Sequence, residues 1–555
     1  MAEAHAKTPL SHFADFVRQH RDALWTVSLY AGATGLLSLA TPIAVQALVN
    51  NTAFASVLQP IVVLAVLVFA VLIVLGVIKA LKAWVVEVLQ RRLYVDAVAR
   101  MAYLLPRRDP NAAQALVEPT HRYFEIVSIQ KACASLLLGG VDAVLAALVG
   151  LLVLAFYHPL LLAFDVGLIL AIAFIVFVLG RGGVRTAVVE SSAKYQVASF
   201  LSDVERMPLA FRDEQGERFA HERLDALTGA YLQARSTHYR VVLRQLIGAL
   251  ATQAIASATL LGLGGFLVMR GQLTLGQLVA SELIVTAVVS ALSDLGKHFE
   301  TYYDLVAGVY KLDQVQHLPS ERDRDEPGEQ ETGSGPAALS LVDVRLHVGT
   351  RALLDHASME LPAGARAILT GPPESGKSTL LELLYGMRQA SSGAVLLDGV
   401  HTQELARAAL RRRVAIVRGP ELAAGTVLDN VRLGNPELGA GAIRTVLDQL
   451  GLLKDLEHLP NGLDTRVGNG GYPLSHSQAL RLTLARAMVR RPGLFVLDAD
   501  FSSMASAALE AVLKTLARPN APWTLLIVGD APALRAVSTH ELCLADGRIA
   551  VGACA

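Results

Sequence analysis

No charge of either sign predominates in this 555-residue sequence, in which 49 lysines and arginines are matched by 49 aspartates and glutamates. A zero formal balance supplies no bulk basic field, so nucleic acid is not indicated as a partner. Cysteine is almost missing. The three present, Cys133, Cys543 and Cys554, are scattered without metal-site spacing, one of them in an apolar run, and read as incidental packing or surface residues. A cleavable secretory signal is lacking too: "MAEAHAKTPLSHFADFVRQHRDALW" is polar and mixed in charge, with no short apolar core before a cleavage site. It reads instead as an amphipathic helix lying along a membrane surface. Charged residues as a class are scarce, 18% against 53% hydrophobic, which is too apolar for a purely soluble chain and calls for a membrane portion.

Six long apolar runs, at 24–48, 57–83, 132–157, 159–180, 246–269 and 275–292, supply it. A bilayer span takes about 20 such residues, so six transmembrane helices are predicted. The links near 49–56, 157–159 and 270–274 are short, with Arg270 as their one cationic residue; those near 84–131 and 181–245 are long and rich in arginine. By the positive-inside rule both long links, and both termini, are cytoplasmic. Through 79–105 and 189–245 in these links apolar residues recur at helical spacing with almost no glycine or proline, so spans 2 to 5 are expected to extend as helices well beyond the bilayer. Asp142, Asp165, Glu282 and Asp294 lie in or near apolar spans, where ionisable groups are costly and often functional. Asp165, near a short external turn, reads as a solvated interfacial carboxylate, whereas Glu282 and Asp294 are candidates for lining a central cavity. Twelve residues apart, those two faces differ by about 120°.

"LPSERDRDEPGEQETGSGPA", 318–337, reads as an acidic flexible linker. It separates a membrane domain, 1–317, from an α/β domain, 338–555. The latter begins its chemistry with "ILTGPPESGKSTLLELLYG": a β-type run ends at Gly371, and Ser375, Gly376, Lys377, Ser378 and Thr379 lead into an apolar helix, the context a P-loop requires. Backbone amides there would cradle phosphate, Lys377 would reach the β and γ phosphates of ATP, and Ser378 would ligate Mg2+. In "LFVLDADFSSMA" four apolar residues form a buried parallel strand that carries Asp498, the second metal-orienting group, to its carboxyl end.

Six spans with long helical extensions followed by a P-loop domain resemble the ABC exporter family, in its half-transporter form. Further matches stand in that family's order and spacing: "GTVLDNV" (425–431), "GLDTRVGNGGYPLSHSQALRLTLARAMVRRPGLFVLDAD" (462–500) and "LADGRI" (544–549). The resemblance covers essentially the whole chain and implies a multi-domain fold, an all-α polytopic membrane domain followed by an α/β P-loop nucleotide-binding domain. It also implies ATP and Mg2+ as cofactors, the lipid bilayer as surroundings, and a second half-transporter whose P-loop pairs with this chain's signature loop.

Carried onto this chain, the family's functional positions are largely lost. The catalytic glutamate corresponds to Ala499, the switch histidine to Asp530, the Q-loop glutamine to Arg418, the D-loop aspartate to Ala505 and the adenine-stacking aromatic to Val348. The signature, usually LSGGQ, is Leu474, Ser475, His476, Ser477 and Gln478, so Ser475 and Gln478 survive and both glycines do not. No catalytic residue is intact. A general base is worth about 10²–10⁴ in rate, and an adenine stack about 1–3 kcal/mol, so binding is expected to outlast hydrolysis.

Decay toward a pseudogene is the bland reading; the intact frame and complete P-loop argue against it. Two functions stay open: a half-transporter assembling with a competent partner, or a homodimer that binds ATP in a regulatory or structural role. With no peptidase domain before the first span, leader-peptide cleavage is not expected. The predominance of alanine, and of arginine over lysine, suggests a GC-rich bacterium and hence an inner membrane. Substrate identity is not encoded in such periodicity.

Overall fold

The computed structural model describes residues 8–52, 59–107, 123–316, 333–348, 351–433, 435, 437–552 and 554, without the side chains of 51–52, 289–297, 315–316 and 469. The chain divides into two compact units, Met1–Ser320 and Glu321–Ala555. The expected linker lies mostly outside the described residues.

Helix α1 (Pro9–Gln19) opens the first unit, with Thr8 as its N-cap and Pro9 at the first helical position. Phe13 and Phe16 pack against a buried cluster containing Val27, Val86 and Leu305, while Leu10 and Val17 are exposed. Among the described residues, five further helices are long and apolar enough to cross a membrane: α2 (Arg21–Asn50), α3 (Gln59–Arg107), α4 (Tyr123–Ala155), α5 (Pro159–Leu179) and, after α6 (Gly183–Arg206), α7 (Glu214–Met269). The sixth expected span begins α8 (Leu275–Gln316); its described apolar stretch, Leu275–Val288, is shorter than the other five. Val63, Val66 and Phe69 of α3 are all more than 60% exposed. Such a surface is adverse in water and suited to acyl chains. At 1.5 Å per residue, α3 and α7 run about 74 and 84 Å, against about 30 Å of hydrocarbon, so both project well beyond it.

Two readings of the sequence are corrected, those of Asp165 and of the cysteine pair, and Asp142 gains a partner. Asp165 is not solvated: it is 3% exposed, and neither carboxylate oxygen has a hydrogen-bond partner among the described residues. Asp142 is paired, its Oδ1 accepting from the Nζ of Lys82 at 2.5 Å. Cys543 and Cys554 are joined as a disulfide, leaving Cys133 free and buried. Glu282 is half-buried, with its Oε2 buried and unpartnered; the side chain of Asp294 is outside the described set.

Among its described residues the second unit carries three sheets. Strands β1 (Leu339–Val348), β2 (Arg351–Leu361), β4 (Ser392–Leu397) and β5 (Val400–His401) form one antiparallel sheet, ordered β2-β1-β4-β5. The second sheet is ordered β12-β11-β3-β10-β9-β6, from β3 (Arg366–Thr370), β6 (Val414–Val417), β9 (Leu494–Leu497), β10 (Thr524–Val528), β11 (His540–Ala545) and β12 (Arg548–Val551). All its pairs are parallel except β11–β12. Strands β7 (Gly425–Thr426) and β8 (Arg466–Val467) make a small third pair. Every residue of β9 and β10 is buried, as strands covered on both faces must be. Helices α9 (Lys377–Leu384), α10 (His476–Val489) and α11 (Ser506–Leu516) accompany these strands.

Candidate nucleotide site

Strand β3 delivers the chain to Gly371, where a Cβ would come within 2.3 Å of the Leu544 carbonyl oxygen, so only glycine fits. The loop then turns through Glu374 (φ 61°) and Gly376 (φ 98°), both left-handed, before α9 starts at Lys377. No side chain caps α9 and no acidic residue occupies its first turn. Its leading amides therefore face no carboxylate from the helix's own cap or first turn and suit a phosphate. The Lys377 ammonium is held over the loop, donating to the carbonyls of Gly371 at 3.0 Å and Pro372 at 2.7 Å and to Ser375 Oγ at 3.2 Å. Ser378 is exposed and Thr379 half-buried in the same turn. The cradle fits an oligophosphate.

Asp498 follows β9, in the register that aligns Val417 with Leu497, and its amide donates to the Val417 carbonyl at 2.9 Å. Ser378 Oγ lies 3.5 Å from Asp498 Oδ2, so the structure does bring the two expected metal ligands together. Sequence reasoning named the third group, Arg418, as a lost glutamine but did not foresee its place beside them. Arg418, next along from β6, donates through Nη2 to the Ser378 carbonyl at 2.9 Å and through Nη1 to Glu382 Oε1 at 3.3 Å, and its Nε is 3.8 Å from Asp498 Oδ2. A divalent ion would meet a resident cation on its own carboxylate. The donor set does not fit Mg2+ as it stands.

The remaining positions offer little chemistry. The Ala499 methyl packs against the apolar cluster that contains Leu497, Phe501 and Met504. The adjacent carboxylate is no replacement base: the Ser502 backbone N–H donates to Asp500 Oδ1 at 2.8 Å and the hydroxyl to Oδ2 at 2.9 Å. Those bonds, the backbone one foremost, hold Asp500 below the usual carboxylate range. Asp530 is exposed just beyond β10, where an anion would repel a γ-phosphate rather than bind it. Val348 is 43% exposed at the end of β1 and offers no ring. Ala505 is the N-cap of α11 without a side-chain bond.

Ser475 and Gln478 prove to be partners. The Ser475 side chain accepts from the Gln478 amide at 3.3 Å and the Gln478 side chain accepts from the Ser475 amide at 2.9 Å, a capping box that starts α10. Their retention thus has an account within this chain alone. His476 and Ser477 occupy the two positions after the cap, His476 exposed and Ser477 half-buried.

Residues 354–501 match the family model described as ABC transporter. Similarity also extends to mycobactin import ATP-binding/permease protein IrtB of Mycolicibacterium thermoresistibile, 31% identical over 296 residues, covering 52% of this chain and 50% of that protein. The mitochondrial iron-sulfur clusters transporter ATM1 of Debaryomyces hansenii is 28% identical over 270 residues, 48% of this chain and 38% of that one. The ATP-dependent lipid A-core flippase of Desulfotalea psychrophila is 26% identical over 310 residues, 55% and 52% respectively. The chain spans about half the length of the curated relatives it matches. Among solved structures, a bacterial Atm1-family ABC exporter with ATP bound superposes with a TM-score of 0.81 over 96% of this chain and 94% of that one, at 20% identity. That likeness speaks to fold.

Proposed function

We propose, from the chain's membership of the ABC transporter family as a helical membrane-type domain fused to a nucleotide-binding domain, that it binds ATP without turning it over in its own site and forms half of a transmembrane export pathway. The observation that carries this is the pairing of a sound phosphate cradle at Gly371–Thr379 with a methyl group at Ala499 and a carboxylate at Asp530. Binding needs the cradle and Lys377. Hydrolysis also needs a base for the attacking water and a donor to the γ-phosphate, and loss of the base alone costs about 10²–10⁴ in rate. The chain works as a dimer in an inner membrane, with both termini cytoplasmic, and a competent second half-transporter supplies turnover. A homodimer that binds ATP in a regulatory role is the second reading, favoured by His476 and Ser477 where a partner's phosphate would need glycine.

The expected outcome for the purified chain is saturable ATP binding, removed by Lys377→Ala, with ATPase at the level of that variant. Robust ATPase abolished by Lys377→Ala, in a preparation free of other ABC proteins, would overturn the proposal. Copurification from native membranes with a second half-transporter separates the heteromer from the homodimer.

A further inference from the structure

The guanidinium of Arg418 is held by two hydrogen bonds and lies beside a carboxylate. Nη2 is bound to the Ser378 carbonyl, Nη1 to Glu382 Oε1, and Nε lies 3.8 Å from Asp498 Oδ2. Glu382 is itself anchored, its Oε2 accepting from Arg388 Nε at 2.5 Å. The Nε of Arg418 is shielded from solvent and makes no hydrogen bond. The arginine is therefore no stray surface cation. It is held against both groups that a divalent ion would need, the Asp498 carboxylate and the first turn of α9.

A divalent ion at a triphosphate does two things that matter for binding: it neutralises phosphate charge and it ties the phosphates to the protein carboxylate. It must approach its oxygens to about 2.1 Å and keep near-octahedral geometry. Here that approach runs into a positive charge already paired with Asp498. A guanidinium always carries its charge, and its planar fork suits phosphate oxygens. Lys377 and Arg418 then flank the cradle with two fixed positive charges that no chelator can remove.

We infer that Arg418 is a built-in substitute for the metal, so that this site takes ATP as the free nucleotide and its affinity does not depend on Mg2+. The inference rests on the reading of Gly371–Thr379 as a nucleotide site. It concerns affinity, not turnover, and names a residue that sets which form of the nucleotide is bound.

The test is calorimetric titration of ATP into the detergent-solubilised full-length chain, with excess Mg2+ or with EDTA. The expected result is a wild-type Kd in EDTA within about threefold of that in Mg2+, and for Arg418→Gln a loss of about tenfold or more confined to EDTA. Arg418→Lys, which keeps the charge and loses the fork, should fall between them. Wild-type binding at least tenfold weaker in EDTA would overturn the inference while leaving the nucleotide reading intact. So would Arg418→Gln binding equally well in both conditions. Absence of Lys377-dependent binding in either condition would instead overturn the nucleotide reading, and the inference with it. Thermal unfolding reports whether the variants fold; if neither does, the wild-type comparison decides alone.

Discussion

A lysine 1% exposed is tolerable only where an anion meets it. Lys82 finds Asp142 Oδ1 at 2.5 Å, and Thr34 donates to the same oxygen at 3.3 Å. Removing one partner leaves the other charge poorly solvated, at about 3–5 kcal/mol for a fully buried pair. Because Asp142 keeps 28% exposure, Lys82→Met is expected at the low end, about 3 kcal/mol, in denaturant unfolding of the solubilised chain. Adding Asp142→Leu should recover most of the loss, since neither charge is then stranded. A single variant as stable as the parent would show that the pair is not a structural requirement. Asp142 was legible in the sequence as an oddity, but its partner stands 60 residues away, and no local pattern joins them. The same limit hid Arg418. Its replacement of a glutamine was visible, whereas its reach to Ser378 and Asp498 depends on β6 lying beside β9.

At the scale of elements, periodicity served well where one helix or strand decides its own fate. The P-loop context of strand, glycine turn and helix was readable because each step has a local cause. The capping box at α10 carries such a signal as well, Ser475-x-x-Gln478, yet family likeness drew attention to those residues as a loop for a partner. Its worth is measurable within one chain. Ser475→Ala is expected to lower stability by about 1 kcal/mol through loss of the cap bond. Gln478→Ala should cost less, and the double variant less than the sum, because the two bonds form one box. Unchanged unfolding of Ser475→Ala would return these residues to a purely intermolecular role. The disulfide of Cys543 in β11 with Cys554 had no such local signature: one pair among three scattered cysteines is chosen by the path of the C-terminal strands.

Across the whole molecule, the division into an apolar helical unit and an α/β unit followed from composition, and the structure carries both. Catalytic silence is different in kind, because it is spread over positions that must act together. Ala499→Glu supplies a base, but at a position packed against the apolar cluster that contains Phe501 and Met504, and with Asp530 still repelling the γ-phosphate. Asp530→His removes that repulsion. In a homodimer the opposing loop still presents His476 where glycine would let backbone approach phosphate, and Arg418 still occupies the carboxylate that a metal needs. Groups that work as a unit give almost nothing when restored singly. ATPase is therefore expected to stay at background for Ala499→Glu alone and nearly so with Asp530→His. It should rise clearly, by about 10² or more, only when His476→Gly, Ser477→Gly and Arg418→Gln are added. Steady-state ATPase of these three variants, each with ATP binding verified, makes the comparison. Substantial turnover from Ala499→Glu alone would show that the other losses are incidental. Background activity in the fully repaired chain would mean that the site has abandoned catalysis in its geometry, leaving the P-loop as a joint that nucleotide stabilises by binding the folded state.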